Sequence, residues 1–202
     1  LFSLIDPTLG RVDKSLLSQQ TVMEHLIANI TNKETICDSR ETPHEISAWN
    51  KVTTNESGDV VAIDWSELEE DLRGSIDLMW LPASLQALYL ETNELTGSLD
   101  FTELPGGLVD ILLASNSFTG DISLTCLPCG VERIDLYSNE LSGSVCLIHL
   151  PESLRYLYLD HNRFFGSLDL TRLPRNLQTL NLSNNLFDGL TDFDHLPESL
   201  RF

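Results

Sequence analysis

The sequence has few basic residues, no long apolar run and no excess of glycine or proline. Only 12 of its 202 residues are Lys or Arg, against 31 Asp or Glu, so the formal net charge is −19 and a surface that attracts nucleic-acid phosphates is excluded. No stretch reaches the roughly 18 apolar residues of a membrane-spanning helix. With 11 Gly, 8 Pro and 42% hydrophobic residues, the chain is neither collagenous nor disordered in composition. We expect one folded, soluble unit.

The sequence also lacks the motifs of common catalytic sites. It contains no G-x-S-x-G nucleophile elbow, no glycine-rich phosphate loop and no H-E-x-x-H helix. Its five histidines are scattered along the chain. We therefore expect a protein without catalytic residues and without a cofactor.

Proline, glycine and asparagine recur at a constant step of 23 residues. The positions are Pro82, Pro105, Pro128, Pro151, Pro174 and Pro197; Gly97, Gly120, Gly143, Gly166 and Gly189; and Asn93, Asn116, Asn139, Asn162 and Asn185. Equal units in tandem predict a solenoid, in which each coil covers the core of the next. We expect the asparagines to form a ladder that satisfies the backbone of the turn after each strand.

Each unit has the apolar pattern LxxLxLxxNxL, which predicts one short strand per coil. Strands that recur in the same sense pair in parallel, and five coils at about 4.8 Å per strand extend roughly 20 to 25 Å. Apolar residues alternate again after each Gly and predict a second extended segment on the flank. These pairs are Leu99 and Phe101, Ile122 and Leu124, Val145 and Leu147, and Leu168 and Leu170.

The strand pattern is followed by L-[ST]-G-x-[LI], as in residues 95–99. In this it resembles the leucine-rich repeat family and is similar to the plant-type subclass of receptor ectodomains and protist surface proteins. The resemblance implies an α/β repeat fold, a right-handed horseshoe-shaped solenoid. Its parallel β-sheet would lie on the concave face, with a mostly irregular convex face and an N-terminal helical cap.

Three segments follow from this reading. Residues 1–58 form the N-terminal helical cap region, 59–80 a degenerate first repeat, and 81–202 five 23-residue repeats plus the start of a sixth, without a C-terminal cap. Within the cap, apolar residues from Leu16 to Ile30 predict an amphipathic helix over 15–30; a helix that docks a partner is the alternative. We expect the natural protein to continue beyond Phe202.

The residues between the inward leucines define the exposed concave face, where all four tyrosines of the chain lie. Tyr offers broad apolar contact and a hydroxyl, which suits a protein or peptide ligand. The alternative is that Tyr merely suits an exposed strand. The candidate ligand-binding residues are Tyr89, Glu91, Arg133, Asp135, Tyr137, Tyr156, Tyr158 and Asp160.

The acidic charge and the cysteines each leave alternatives open. The charge would steer a basic partner or divalent cations toward the surface, or would simply keep the surface solvated. Cys126, Cys129, Cys146 and His149 have a zinc-like spacing, but the repeat does not bring them together, so we expect no metal site. A disulfide from Cys126 to Cys129 or to Cys146, or free thiols, remain possible, and Cys37 lies in the cap.

Three sequons, at Asn29, Asn55 and Asn181, are candidate glycosylation sites and favour secretion.

The leading hypothesis is a noncatalytic module that binds a protein or peptide through the concave sheet, outside the cell or at its surface. The alternatives are an intracellular scaffold or inhibitor in the cytoplasm, and a passive surface coat or adhesive protein. We expect no nucleic-acid partner, and membrane association only through segments absent from this chain; the sequence does not specify the oligomeric state.

Overall fold

The computed structural model describes residues 14–201, whose strands form two sheets along the array. The seven-stranded sheet contains β1 (Val52–Thr54), β2 (Val60–Asp64), β4 (Ala87–Tyr89), β6 (Asp110–Leu112), β8 (Arg133–Asp135), β10 (Tyr156–Tyr158) and β12 (Thr179–Asn181). The six-stranded sheet contains β3 (Arg73–Ser75), β5 (Glu94–Ser98), β7 (Ser117–Asp121), β9 (Glu140–Gly143), β11 (Arg163–Gly166) and β13 (Leu186–Phe187). The regular structure of residues 14–201 also includes two helices, α1 (Gln19–Leu26) and α2 (Glu34–Cys37), and 3₁₀ turns at Lys14–Leu16, Ile46–Ala48 and Leu78–Trp80.

The seven-stranded sheet follows the predicted leucine pattern. From β4 onward each strand pairs in parallel with the strand 23 residues away, as Ile111 does with Ile134, whereas β1 is antiparallel to β2. The central side chains Leu88, Ile111, Ile134 and Leu157 are fully buried and belong to one continuous hydrophobic core. The predicted solenoid with a parallel sheet is confirmed.

The six-stranded sheet lies earlier in each coil than the sequence predicts. The predicted apolar residues after the glycines, such as Leu99 and Phe101, are buried, except for the partly buried Leu168, and lie outside any strand. Gly97 has φ +92° near the end of β5, a conformation that only Gly adopts readily. The chain there leaves the sheet, and the following apolar side chains enter the core instead of pairing.

The five repeat asparagines each join two coils. Asn139 is typical: its Oδ1 accepts from Phe118 N–H at 3.1 Å, and its Nδ2 donates to Leu113 O in the preceding coil at 3.1 Å and to Leu136 O in its own coil at 3.3 Å. The same pattern holds for the other members, Asn93, Asn116, Asn162 and Asn185. The ladder therefore fixes the position of each coil relative to its neighbour, and it also satisfies backbone groups of the turn in its own coil.

The N-terminal helix is shorter than predicted. Ser18 caps α1, its Oγ accepting from Thr21 N–H at 3.1 Å, and the helix ends at Leu26. Leu16, predicted on the apolar face, is 82% exposed, whereas Met23 and Leu26 are buried in the core. Within residues 14–201, neither helix has the length and apolar character that crossing a bilayer requires.

The segment after α1 pairs with the edge of the six-stranded sheet. Thr31 N–H donates to Arg73 O at 2.8 Å, and Ser75 N–H donates to Asn29 O at 3.2 Å. Asn32, which lies outside the repeats, accepts from Arg73 N–H at 2.9 Å and donates to Asp71 O at 3.0 Å. These contacts cover the first coil in the way that a cap requires, although the domain boundaries stay a prediction.

We predict that Asn139→Ala lowers the free energy of unfolding by about 2 to 4 kcal/mol, because it leaves several buried backbone groups without partners. Urea denaturation followed by circular dichroism measures the loss. Asn185→Ala is the matched control: Asn185 makes equivalent bonds but is only partly buried, so water replaces them and the loss is about 1 kcal/mol. Equal losses would contradict this account of the ladder.

We also predict that Gly74→Ala destabilises the protein by at least about 2 kcal/mol more than Gly58→Ala. Both glycines have positive φ, +104° and +85°, but a Cβ at Gly74 would stand 2.2 Å from Asn29 O, whereas none of the described atoms lies within 4 Å of a Cβ at Gly58. The comparison cancels the shared backbone strain and isolates the contact between cap and array. Matching denaturation midpoints for the two variants would show that this contact is unimportant.

Candidate ligand-binding surface

The seven-stranded sheet presents the eight candidate residues along one side. Tyr89 ends β4, Arg133 and Asp135 flank the buried Ile134 in β8, and Tyr156 and Tyr158 flank Leu157 in β10. The remaining three, Glu91, Tyr137 and Asp160, follow two residues after the ends of β4, β8 and β10. Parallel pairing in register places residues 23 apart next to each other, so these side chains form one surface. We call it the sheet surface.

Arg133 is held by an acidic neighbour that the candidate set omits. Its Nε and Nη2 donate to the two carboxylate oxygens of Asp110, each at 2.7 Å, and Tyr89 OH donates to Asp110 Oδ2 at 3.0 Å. Hydrogen bonds from Arg133 hold the pKa of Asp110 below its usual value, and the same pair raises the pKa of Arg133. Burial, followed by the hydrogen bond to Asp110, raises the pKa of Tyr89. The Arg133 guanidinium is thus already neutralised.

A cavity of about 290 Å³ opens on the sheet surface between β6, β8 and β10. It is lined by Leu112, Arg133, Ile134, Asp135, Tyr156 and Tyr158. Two phenol rings and a leucine supply apolar walls, and Asp135 supplies a carboxylate. Tyr156 OH donates to Gln178 Oε1 at 3.0 Å, which fixes that ring. Such a cavity fits one side chain of a ligand.

Beyond β8 and β10, a second group of candidate residues is connected. Tyr137 and His161 form an edge-to-face pair with centroids 5.1 Å apart, and His161 Nδ1 lies 3.0 Å from Asp160 Oδ2. Asp160 differs from the expectation of an exposed residue: it is only 5% exposed, and its Oδ1 has no hydrogen-bond partner among the described residues. Tyr137, at 39%, is the more exposed member.

Two carboxyl groups of the sheet surface have raised pKa values. For Asp135, burial raises the pKa and the charge of Asp160 raises it further. For Glu91, burial again has the largest effect, and the charges of Asp135 and Asp64 add to it. These carboxylates therefore act on one another across several strands.

The zinc-like spacing does not produce a metal site in the described part of the chain. Among residues 14–201, no three His, Cys, Asp or Glu side chains come together in a way that could hold an ion. Cys146 Sγ lies 3.8 Å from His149 Nδ1, and Cys126, Cys129 and Cys146 are exposed free thiols. Cys37 is buried, and its thiol donates to backbone oxygens of Lys33 and Ser39.

The three sequons lie in different surroundings. The side chains of Asn29 and Asn55 are exposed. Asn181 is half-buried in β12, and its Oδ1 accepts from the backbone N–H and the hydroxyl of Ser183. A glycan at Asn181 would stand on the sheet surface, whereas glycans at the other two positions would not.

Three ion pairs that were not predicted join residues one repeat apart, so the 23-residue step could have indicated them. Asp110 precedes Arg133 by 23 residues, Glu132 precedes Arg155 by 23, and Glu140 precedes Arg163 by 23; the ion-pair distances are 2.7, 3.5 and 3.0 Å. Opposite charges at the same position of successive coils therefore predict an ion pair between parallel neighbours. No comparable signal marks Asp160 as buried.

Comparisons with known proteins agree with this architecture. The family model described as Leucine Rich Repeat matches residues 153–173 and 176–201, and none of the curated proteins compared with the sequence matches it. Among solved structures, a pollen receptor kinase 3 is 26% identical, with a TM-score of 0.66, over 91% of this chain and 96% of that one. The ectodomain of BIR2 from Arabidopsis thaliana is 20% identical, with a TM-score of 0.61, over 90% and 98%.

A third similar structure is the Arabidopsis receptor kinase HAESA in complex with the peptide hormone IDA and the co-receptor SERK1. It is 22% identical, with a TM-score of 0.65, over 88% of this chain and 30% of that one. The fold is therefore the one found in plant receptor ectodomains. The resemblance seen in the sequence is confirmed: two segments of the chain match the leucine-rich repeat model, and its fold is similar to that of plant receptor ectodomains.

Proposed function

We propose that the protein is a noncatalytic recognition module that binds a protein or peptide ligand on the sheet surface. The observation that carries the proposal is the placement of all four tyrosines of the chain on this one surface, with Tyr156 and Tyr158 beside a cavity. Aromatic side chains next to a cavity are typical of the residues that dominate binding energy.

The fixed geometry of the surface also supports recognition. Tyr89 and Tyr156 are each held by a side-chain hydrogen bond, and their strands are held by neighbours on both sides. A preformed surface loses less conformational entropy when a ligand binds. The rings therefore need little reordering to form contacts.

The comparisons support the same proposal at the level of the protein class. The structures described above include a receptor kinase, the BIR2 ectodomain, and a receptor kinase bound to a peptide hormone. We extend peptide or protein binding to this chain because its own surface has the residues for it. We also propose that the protein acts outside the cell or at its surface.

We predict that changing both Tyr156 and Tyr158 to Ala weakens ligand binding at least about 30-fold, which corresponds to about 2 kcal/mol of lost contact. The ligand for this test is a peptide selected from a displayed random heptapeptide library on the immobilised wild-type protein, with Kd measured by fluorescence anisotropy. Phe165→Ala is the control, because Phe165 is also aromatic and is 52% exposed, but lies in β11 of the other sheet. Unchanged thermal denaturation confirms folding. Selected peptides that bind the double variant as tightly as the wild type would refute the proposed surface.

For the compartment, we predict that the protein made through a secretory pathway carries glycan at Asn55, which is exposed in a turn. Intact mass before and after glycosidase treatment measures occupancy, and Asn55→Gln identifies the site. Empty sequons together with four reduced cysteines in the natural source would instead favour the cytoplasmic scaffold.

A further inference from the structure

Four carboxylates of the sheet surface, distributed over five coils, have no Lys or Arg partner among the described residues. They are Asp64, Glu91, Asp135 and Asp160, which we call the acidic strip. Among the described residues, no Lys or Arg forms an ion pair with any of them, and no lysine follows Lys51 in the sequence. The nearby arginines are already engaged, Arg133 by Asp110 and Arg155 by Glu132. His161, beside Asp160, is the titratable base paired with the strip, so the strip has more negative charges than basic partners among the described residues.

Two members of the strip each have a buried oxygen without a hydrogen-bond partner among the described residues. The side chain of Asp160 is 7% exposed, and its Oδ1 accepts no hydrogen bond from any described residue. Glu91 Oε2 is likewise buried and unpartnered. A buried carboxylate oxygen without a donor is costly, so both positions favour a donor from outside the chain. Asp160 follows β10, the strand that pairs with the strand of Asp135 in the adjacent coil.

The cavity adjoins the strip at Asp135. Leu112, Tyr156 and Tyr158 form walls that suit an alkyl stem, and the Asp135 carboxylate lies among them. Lys and Arg combine such a stem with a cationic head, and a cation over a phenol ring gains further attraction. A carboxylate-bearing ligand group, in contrast, would meet repulsion from the strip and an Arg133 already paired.

We propose that the ligand is a basic peptide segment, in which one Lys or Arg inserts its stem into the cavity and bonds Asp135, while neighbouring basic side chains reach Glu91 and Asp160. This inference rests on the proposed function and specifies the chemistry of the partner. Tyr137 occupies the same repeat position as Asp160 one coil earlier and is 39% exposed, so its ring offers a cation–π contact to a basic side chain there.

The dimensions of the strip fit a short extended peptide. From β2, which carries Asp64, to β10, which precedes Asp160, the sheet spans four strand spacings, or roughly 19 Å. An extended chain covers this distance with about six residues. Alternate residues of such a peptide face the same side, so two or three basic side chains can meet the strip at once.

The test uses the displayed heptapeptide library on the full chain and compares the charge of selected and unselected peptides. We expect enrichment of Lys and Arg at alternate positions, at least tenfold weaker binding when these are replaced by Gln, and at least tenfold weaker binding to Asp135→Asn. Asp135→Asn keeps the Oδ1 that accepts from Tyr137 N–H, so folding is retained. Asp121→Asn is the matched control, since it removes one negative charge from the exposed C-terminal end of β7 in the other sheet.

The outcomes separate the two proposals. Selected peptides that lack basic enrichment, yet lose binding when Tyr156 and Tyr158 become Ala, overturn the basic ligand and leave the proposed function standing. Acidic peptides that bind only with added calcium also overturn it. If Asp135→Asn and Asp121→Asn weaken peptide binding equally, the loss of affinity depends only on net charge, and the proposed site is refuted. If no selected peptide depends on the tyrosines, the proposed function fails.

The pH dependence provides an additional readout. The pKa values of Asp135 and Glu91 are raised in the free protein, and a bound cation favours their charged forms and lowers these values. Affinity is therefore greatest above the raised values and falls as the pH drops through them. Titration from about pH 7 to about pH 4 should show this loss in the wild type and a flatter profile when Asp135→Asn and Glu91→Gln are combined. Identical profiles would contradict the proposal.

Discussion

The asparagine side chain that joins each coil to the one before it is the interaction on which the rest of the structure depends. Through one amide, the chain fixes the turn after a strand and the height of that strand against its neighbour. Leucine burial alone would tolerate a small slip between coils, because the core is apolar throughout. The amide does not tolerate it, since its donors and acceptors have single positions. The alignment of outward side chains on the sheet surface follows from this constraint.

The charged residues show how the alignment becomes a pattern of charge. Where an acid and an arginine occupy the same position in successive coils, as Asp110 and Arg133 do, they neutralise each other. Where an acid lacks such a neighbour, as at Glu91, the following coil offers only the small Ala114. The surface is therefore divided into neutralised pairs and unneutralised carboxylates by the order of residues along the repeat.

The fold and the direction of each side chain in the seven-stranded sheet could be predicted from the sequence, because the 23-residue step and the leucine pattern are compatible with only one parallel pairing of these strands. The strands of the six-stranded sheet could not be predicted in this way. Leu95 and Phe118 give only one inward residue before the turn at Gly, which is too short an alternation to identify. For the candidate site, the sequence predicted that Tyr156 and Tyr158 lie on one face of the sheet, but it did not predict how deeply each side chain of that face is buried. Asp160 is buried, and alternation along a strand specifies only the direction of a side chain, not how far it is covered.

The amide bridges also determine how the array responds to load. Every coil is bonded to its immediate neighbours, and no described strand pairs with a coil two positions away. Tension applied along the stack would meet these bridges one after another, because the loss of one coil exposes the next. Each release would free one 23-residue length of chain, which is roughly 80 Å when fully extended. The protein would therefore unfold under force in a series of extension steps of equal length.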